Sequence, residues 1–476
     1  MKRWLVLLIY AWLGLLPLSL QAQYRHGPPA DPVRVAAEWE EVEYVLLTWT
    51  QYIPTLCEVV RYAREECEVL IVCLDSMEAK ADLQQRGIPL SGVYFLEKPF
   101  NSIWMRDYGP TTVYFHDVGR RLLVDWIYNR PRPEDDYLPV YLARKLGLPL
   151  WRMSTAPYDL VHIGGNFLTD GQGLALSSRL VVEENRRSGY LQSAKDEPGL
   201  DSLVGRYLGI DRFVKLTPLP YDHIHHLDMH MQLLDEETLL VGQYPPGVAD
   251  GPQIEANLRY LLDSVQTAFG TPFKVLRVPM PDFRGRYPDS ATAPYLTHTN
   301  LVFINRTVLV PVYGGPSDSV ALRLLRRQLP GYRIVGIDCS EVIQAGGALR
   351  CITRTVGVKA PLRIVHQPLR TKMVTGFPLE VKAQIQHQSG IAKATIYYRT
   401  AADTAYRPIP MMPVDRAGQQ WSGYLPAMQA SAGPIRYYIE AQAQDGKTLT
   451  RPLTAPAGYW QFELEQQLSL GMREEF

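Results

Sequence analysis

The chain has 476 residues, 46% of them hydrophobic and 21% charged, which places it among globular proteins long enough for two or three domains. Lys+Arg and Asp+Glu both number 49, so the formal net charge is zero and the positive footprint of a nucleic-acid-binding protein is missing. Five cysteines, Cys57, Cys67, Cys73, Cys339 and Cys351, are too few and too scattered for a disulfide scaffold, and no pair has zinc-knuckle spacing.

Residues 1–22 combine a basic start (Lys2, Arg3), an apolar stretch from Trp4 to Leu20 and a small-residue exit at Ala22, the pattern of a cleaved secretory signal rather than a membrane anchor. The expectation is export to the periplasm, the medium or the cell surface, with no stable membrane insertion after cleavage. From about residue 40 to about 360, strands alternate with helical segments. Tyr44–Leu47 and Val69–Val72 are continuous apolar runs of strand length, and the spacing between Pro54 and Cys67 is helical. Ile254, Leu258, Leu261, Leu262 and Val265 predict a helix over 253–269, stopped by Gly270. Val308–Val312 reads as a buried strand, and a further helix opens at Pro316-Ser317-Asp318, capped by the Ser or the Asp. No GxGxxG or Walker motif follows any strand, so a nucleotide fold has no support. Beyond Pro361 only alternating strands remain, as in Leu379-Val381-Ala383-Ile385 and Ile435-Tyr437-Ile439-Ala441. Residues 23–361 are read as one α/β domain, 362–466 as an immunoglobulin-like β-sandwich with a structural or docking role, and 467–476 as a polar tail.

Four segments concentrate chemistry. Asn101–Pro110 packs Trp104, Arg106 and Asp107 before a Gly-Pro turn, and Arg106-Asp107 could simply be a buried structural pair. Val161–Asn166 with Thr169–Gly173 marks tight turns near a strand end. In His225–His230, His226 and His230 have the i, i+4 spacing of helical metal ligands, but the glutamate of a zinc-protease helix is missing. On a strand, His226 and Asp228 would share one face, which suits an acid/base and its charge partner. Finally, Cys351 follows a glycine pair and Arg350, a setting that would favour a thiolate, whereas Cys73 and Cys339 read as small buried hydrophobes. One Cys, one His and two Asp suit nucleophilic attack on a cationic planar carbon, because two carboxylates can hold a guanidinium by paired hydrogen bonds and orient its carbon.

The ordered set WxRDxGP, GGN with DGxG, HxD, Asn300-x4-Asn305 with VPVYG, and GGxxxC resembles the guanidine-modifying enzymes of the agmatine deiminase and bacterial peptidylarginine deiminase group, over roughly residues 40–357. The resemblance implies the pentein fold, an α/β propeller of five units. It implies that Cys351, His226, Asp107 and Asp228 are catalytic. In the mechanism built from these parts Trp104 lies against the substrate side chain and Asn300 is a supporting candidate. No EF-hand loop is present, and neither a metal nor an organic cofactor is expected in catalysis. Asn129–Asp136 is similar to the Porphyromonas-type peptidylarginine deiminases, in which two such arginines bind the α-carboxylate of a C-terminal arginine; here these would be Arg130 and Arg132. The export signal and the trailing sandwich also fit that type. The chain departs from many relatives in carrying Arg350, rather than His, before the nucleophile. The function implied is conversion of peptidyl arginine to citrulline through a Cys thiouronium. The rivals are an agmatine or free-arginine deiminase, and an inactive adhesin on the same scaffold.

Overall fold

The structure is a computed structural model and describes residues 24–465, apart from 188, 291 and 375. The expected signal segment and the expected tail therefore lie outside the described residues. Among the described residues, no helix is long and apolar enough to cross a membrane.

Residues 24–357 form five small sheets. Each contains an antiparallel pair of strands followed by a helical crossover to a parallel strand, the connection that parallel pairing demands. Met231–Leu233 pairs antiparallel with Thr238–Gln243, and helix Gly251–Ser264 returns the chain to Lys274–Pro279, parallel to it. The same order recurs in Val302–Ile304, Thr307–Val312, helix Pro316–Gln328 and Arg333–Asp338. It recurs again in Leu168–Thr169, Leu174–Ser178 and Arg212–Leu216, and in Thr111–Phe115, Arg121–Trp126, helix Pro133–Leu146 and Leu150–Met153. The fifth sheet draws on both ends of this stretch. Val42–Thr48 runs through helix Ile53–Ala63 to the parallel Glu68–Cys73, while its antiparallel partner is the distant Arg354–Gly357. Val45–Leu47 and Val69–Cys73 are buried throughout, which explains their unbroken apolar sequence.

Two helix boundaries differ from the sequence reading for local reasons. The helix read as 253–269 ends at Ser264, because Val265 turns extended and buries its side chain, and Thr267 Oγ1 then accepts the Phe269 and Thr271 amides. Gly270, with φ 72°, closes that turn rather than the helix. Helix Pro316–Gln328 is capped by Gly315, not by Ser317 or Asp318. The Asp318 carboxylate instead reaches back to the amides of Tyr313, Gly314 and Gly315 at 3.0, 2.7 and 3.1 Å.

Residues 362–465 carry a separate core of Val381, Ile385, Ile396, Trp421, Tyr437 and Ile439, wrapped by nine strands. The alternating runs seen in the sequence fall inside Leu379–Gln386, Ile391–Arg399 and Ile435–Ala443. Strand Arg407–Pro413 changes partner midway: its first part pairs with Ile391–Arg399, and Met412–Pro413 pair with Gln420–Leu425. That exchange lets the strands close around one core. This part docks on the five-sheet part through Lys447–Glu41 at 2.7 Å and Arg451–Glu236 at 3.0 Å.

Candidate active site

Every sheet of the five-sheet part contributes the short segment just before its first antiparallel strand. These are helix Met105–Tyr108 before Thr111, the 3-10 turn Gly164–Asn166 before Leu168, the 3-10 turn Leu227–Met229 before Met231, Thr297–Asn300 before Val302, and the turn ending at Cys351 before Arg354. The five segments meet. Arg106 donates its amide to the Cys351 carbonyl at 3.1 Å, and Gly165 donates its own to Asp107 Oδ1 at 3.1 Å. Thr299 Oγ1 donates to the Asp228 carbonyl at 2.9 Å, and Asn300 Nδ2 lies 3.3 Å from Cys351 Sγ. Asn300 Oδ1 accepts the Arg350 and Cys351 amides at 2.8 and 3.3 Å, so this one side chain fixes both the thiol and its backbone.

Asp107, His226, Asp228 and Cys351 are all buried. His226 Nδ1 stands 3.9 Å from Asp107 Oδ1, and neither ring nitrogen of His226 has a hydrogen-bond partner. Asp228 Oδ1 is likewise buried without one. Both nitrogens of His162 and of His230 are unpartnered as well, so what distinguishes these three atoms is that they lie around Asp107 and Cys351. Two glycines allow the close packing. A Cβ on Gly165 would lie 2.5 Å from His226 Nδ1, and one on Gly347 would lie 2.6 Å from the Trp104 ring and 3.0 Å from Cys351 Sγ. Trp104 thus lies beside the thiol.

Beneath these groups sits a buried charge network. Arg350 Nη1 donates to Asp228 Oδ2 at 2.8 Å and its Nη2 donates to Glu38 Oε1 at 2.9 Å, while Arg106 Nη1 donates to the same Glu38 oxygen at 3.0 Å. Burial alone would raise the Glu38 carboxyl, but Arg106 and Arg350 outweigh it and bring its pKa down to about 2. Burial and the Asp228 charge lift Asp107 to about 7, and burial lifts Asp228 against the pull of Arg350. Burial, with the nearby Arg130 and Arg350 charges, drops His226 to about 3. The Cys351 thiol is pushed well above its ordinary value by burial and by the Asp228 and Asp107 charges.

The geometry corrects three readings of the sequence. Arg106 pairs with Glu38 rather than with Asp107. His226 and Asp228 do not share a strand face, because Leu227–Met229 is a 3-10 turn with His226 at its N-cap. Arg350 does not stabilise a thiolate, since its guanidinium is spent on Asp228 and Glu38. Glu38 is not legible from the sequence, since it lies in the acidic run Glu38-Trp39-Glu40-Glu41 with nothing local to single it out.

Arg130 and Arg132 stand on the loop before helix Pro133–Leu146. Arg130 Nη1 bonds to Asn129 Oδ1 at 2.5 Å and reaches Glu184 Oε1 at 3.4 Å, and its charge acts on both Asp107 and His226. Arg132 donates to the Tyr128 hydroxyl at 2.9 Å, and its charge acts on Tyr128 and Asp135. The Asp135 carboxylate accepts the Asn101 and Ser102 amides at 2.7 and 3.1 Å, which ties this loop to the segment bearing Trp104.

Residues 34–356 match the Porphyromonas-type peptidyl-arginine deiminase family. A Vibrio parahaemolyticus protein provisionally named an agmatine deiminase is 25% identical over 363 residues, covering 69% of this chain and 98% of the relative. Among solved structures, the provisionally named arginine deiminase of Porphyromonas gingivalis superposes with a TM-score of 0.60 at 22% identity, over 68% of this chain and 98% of its own. The agmatine deiminase of Enterococcus faecalis does so with a TM-score of 0.59 at 20% identity, over 70% of this chain and all of its own (100%). Those likenesses establish a shared mixed α/β fold, and the family match covers most of the five-sheet part. The chain belongs to the Porphyromonas-type peptidyl-arginine deiminase family, hydrolases that cleave carbon–nitrogen bonds of guanidino groups.

Proposed function

We propose that the protein is an exported deiminase that converts peptidyl arginine, preferentially at a free C-terminus, to citrulline and ammonia. The observation that carries this reading is the convergence of the segments bearing the four residues: Asn300 holds Cys351 Sγ, the Asp107 and Asp228 charges act on that thiol, and His226 stands 3.9 Å from Asp107. Asp107 and Asp228 clamp the substrate guanidinium, and Trp104 lies along its alkyl chain. The incoming cation supplies the charge that the free site lacks: it lowers the Asp107 and Cys351 pKa values and allows the thiol proton to pass to His226. The thiolate attacks the guanidinium carbon, forming a C–S bond. His226 returns the proton to the departing nitrogen as the C–N bond breaks, leaving ammonia and a thiouronium on Cys351. Water, deprotonated by His226, then attacks the same carbon. The C–S bond breaks, the thiol is regenerated, and the product carries a ureido group.

Arg130 and Arg132 are assigned to the substrate α-carboxylate. The five sheets are taken as blades of one closed propeller over residues 23–361, with 362–466 as an immunoglobulin-like sandwich. The basic and apolar pattern of residues 1–22 supports export. The agmatine deiminase names of relatives favour a second reading, deimination of agmatine or free arginine by the same four residues.

The deciding assay is product release by the purified protein from a peptide ending in arginine, its C-terminal amide, a peptide with internal arginine, and agmatine. Turnover fastest on the free-carboxylate peptide and abolished in Cys351→Ala is the expected result. Preference for agmatine would replace the peptide assignment, and no turnover of any guanidine would leave a binding protein.

A further inference from the structure

Glu184 has no role in the chemistry above, yet the fold delivers it to Arg130. Ile127 and Val161 pair in parallel, so that three residues further along each segment stand Arg130 and Gly164, next to the Gly165 amide that binds Asp107. Helix Leu180–Arg187 is pinned to the same place by Asn185, whose Nδ2 donates to the Val161 carbonyl at 2.7 Å and whose Oδ1 accepts the Val161 amide at 3.0 Å. The preceding residue, Glu184, is thereby set against the loop. Its Oε1 accepts from Asn129 Nδ2 at 2.8 Å and from Arg130 Nη1 at 3.4 Å.

The pair is only half used. Among the described residues, the Arg130 side-chain hydrogen bonds all involve Nη1, leaving Nε and Nη2 open, and those of Glu184 all involve Oε1, leaving Oε2 open. Arg130 is about one-third exposed and Glu184 retains 14% exposure, so neither side chain is sealed from solvent. A cation and an anion held side by side, each with one open edge, match a carbon that bears both a carboxylate and a nitrogen donor.

We propose that Glu184 is a specificity-determining residue. With Arg130 it forms a paired subsite for the two polar substituents on the α-carbon of a terminal arginine, Arg130 taking the carboxylate and Glu184 Oε2 taking the α-nitrogen as a donor. This rests on the guanidine-hydrolase reading of the neighbouring site and adds to it. The α-nitrogen is an amide N–H in a peptide or N-acyl arginine and an ammonium in free arginine and agmatine. Glu184 therefore contributes most where that nitrogen is charged, and Arg130 disfavours agmatine, which brings no carboxylate.

The test measures kcat and KM, by ammonia release, of the full chain and its Glu184→Gln and Glu184→Asp variants on free arginine, N-acetylarginine, N-acetylargininamide and agmatine. In Glu184→Gln the ratio of kcat/KM for free arginine to that for N-acetylarginine falls about tenfold, through KM, because a charge-assisted hydrogen bond becomes a neutral one. Agmatine loses in parallel with free arginine. Glu184→Asp, which keeps the charge, recovers part of the ratio, and this separates recognition from mere support of Arg130. An equal KM rise for all four substrates, or an unchanged ratio in an active enzyme, would overturn the subsite alone. Inactivity of the unmutated protein on every substrate would overturn the hydrolase reading and the subsite with it.

Discussion

His226 in the five-sheet part and His366 in the nine-stranded part are both buried, and burial lowers the pKa of both, to about 3 and about 4. Their surroundings are opposite. His366 Nδ1 donates to the Lys382 carbonyl at 2.6 Å, and its Nε2 accepts from the Tyr437 hydroxyl at 2.9 Å, which in turn accepts the Leu369 amide at 2.8 Å. Neither nitrogen of His226 has a partner. The depressed pKa alone does not separate a structural histidine from a working one, because desolvation acts on both. The hydrogen bonds and the neighbours differ: His366 completes its own network, whereas His226, whose nitrogens are unpartnered like those of the buried His162 and His230, is set apart from those two by standing 3.9 Å from Asp107.

Exchanging each histidine for leucine breaks this comparison most strongly. His226→Leu is expected to lower turnover by about 1,000-fold or more, while thermal or denaturant unfolding shifts stability by less than about 1 kcal/mol because no hydrogen bond is lost. His366→Leu should do the reverse, costing about 2–3 kcal/mol by stranding Tyr437 and the Lys382 carbonyl while leaving kcat per folded molecule unchanged. A stability loss of similar size at both positions would remove the distinction.

Glu38 extends the contrast to carboxylates. It compensates Arg106 and Arg350, so Glu38→Gln should destabilise by about 3 kcal/mol by leaving buried arginines under-compensated, and should raise KM for every guanidine as Arg350 shifts from Asp228. Because its folded pKa is lowered to about 2 from an ordinary 4.5, its contribution is fully present above pH 4.5 and is lost as the pH falls toward 2. Unfolding curves between these pH values should therefore slope less steeply in the variant.

Asp107 has the opposite sign. Its folded pKa lies at about 7, above the ordinary 3.8, so the fold favours the protonated carboxyl and loses stability as the pH rises from 4 to 7. Asp107→Asn should be inactive yet more stable than the unmutated protein at pH 8, by a few kcal/mol at most. Calorimetry at pH 5 and pH 8 checks this, with the gain expected at the higher pH. The smallest effects fall on the loop arginines. Arg130→Ala should raise KM for a C-terminal arginine peptide by about tenfold. Arg132→Ala should change it less, because that side chain is directed to the Tyr128 hydroxyl, whereas the Arg130 charge is among the largest acting on Asp107 and His226.

Much of the site was legible because its residues lie in short strings where glycine, charge and a nucleophile crowd together, as at Trp104–Pro110 and Gly346–Cys351. What escaped was whatever depends on distant partners. Glu38 is 68 residues from Arg106 and 312 from Arg350, so no local pattern could pair them. Arg350 differs from its sequence reading for the same reason: beside Cys351 in the chain, it faces Asp228 and Glu38 in space. The fivefold recurrence of sheets was not visible in periodicity, because some strands are only two or three residues long and the fifth sheet takes its antiparallel strand from Arg354–Gly357. The alternating strands after residue 361 were legible because side chains on opposite faces meet opposite environments, as the burial pattern of Leu379–Gln386 shows.

The central claim is that Cys351 carries the reaction as a covalent intermediate. Acid-quenching the enzyme during turnover and mapping its peptides by mass spectrometry tests it most directly. The account predicts an adduct on Cys351 with the mass of the substrate less ammonia, more abundant in His226→Gln, where hydrolysis is slowed, and absent in Cys351→Ala. Undiminished turnover by Cys351→Ala, with no adduct on the unmutated enzyme, would contradict it.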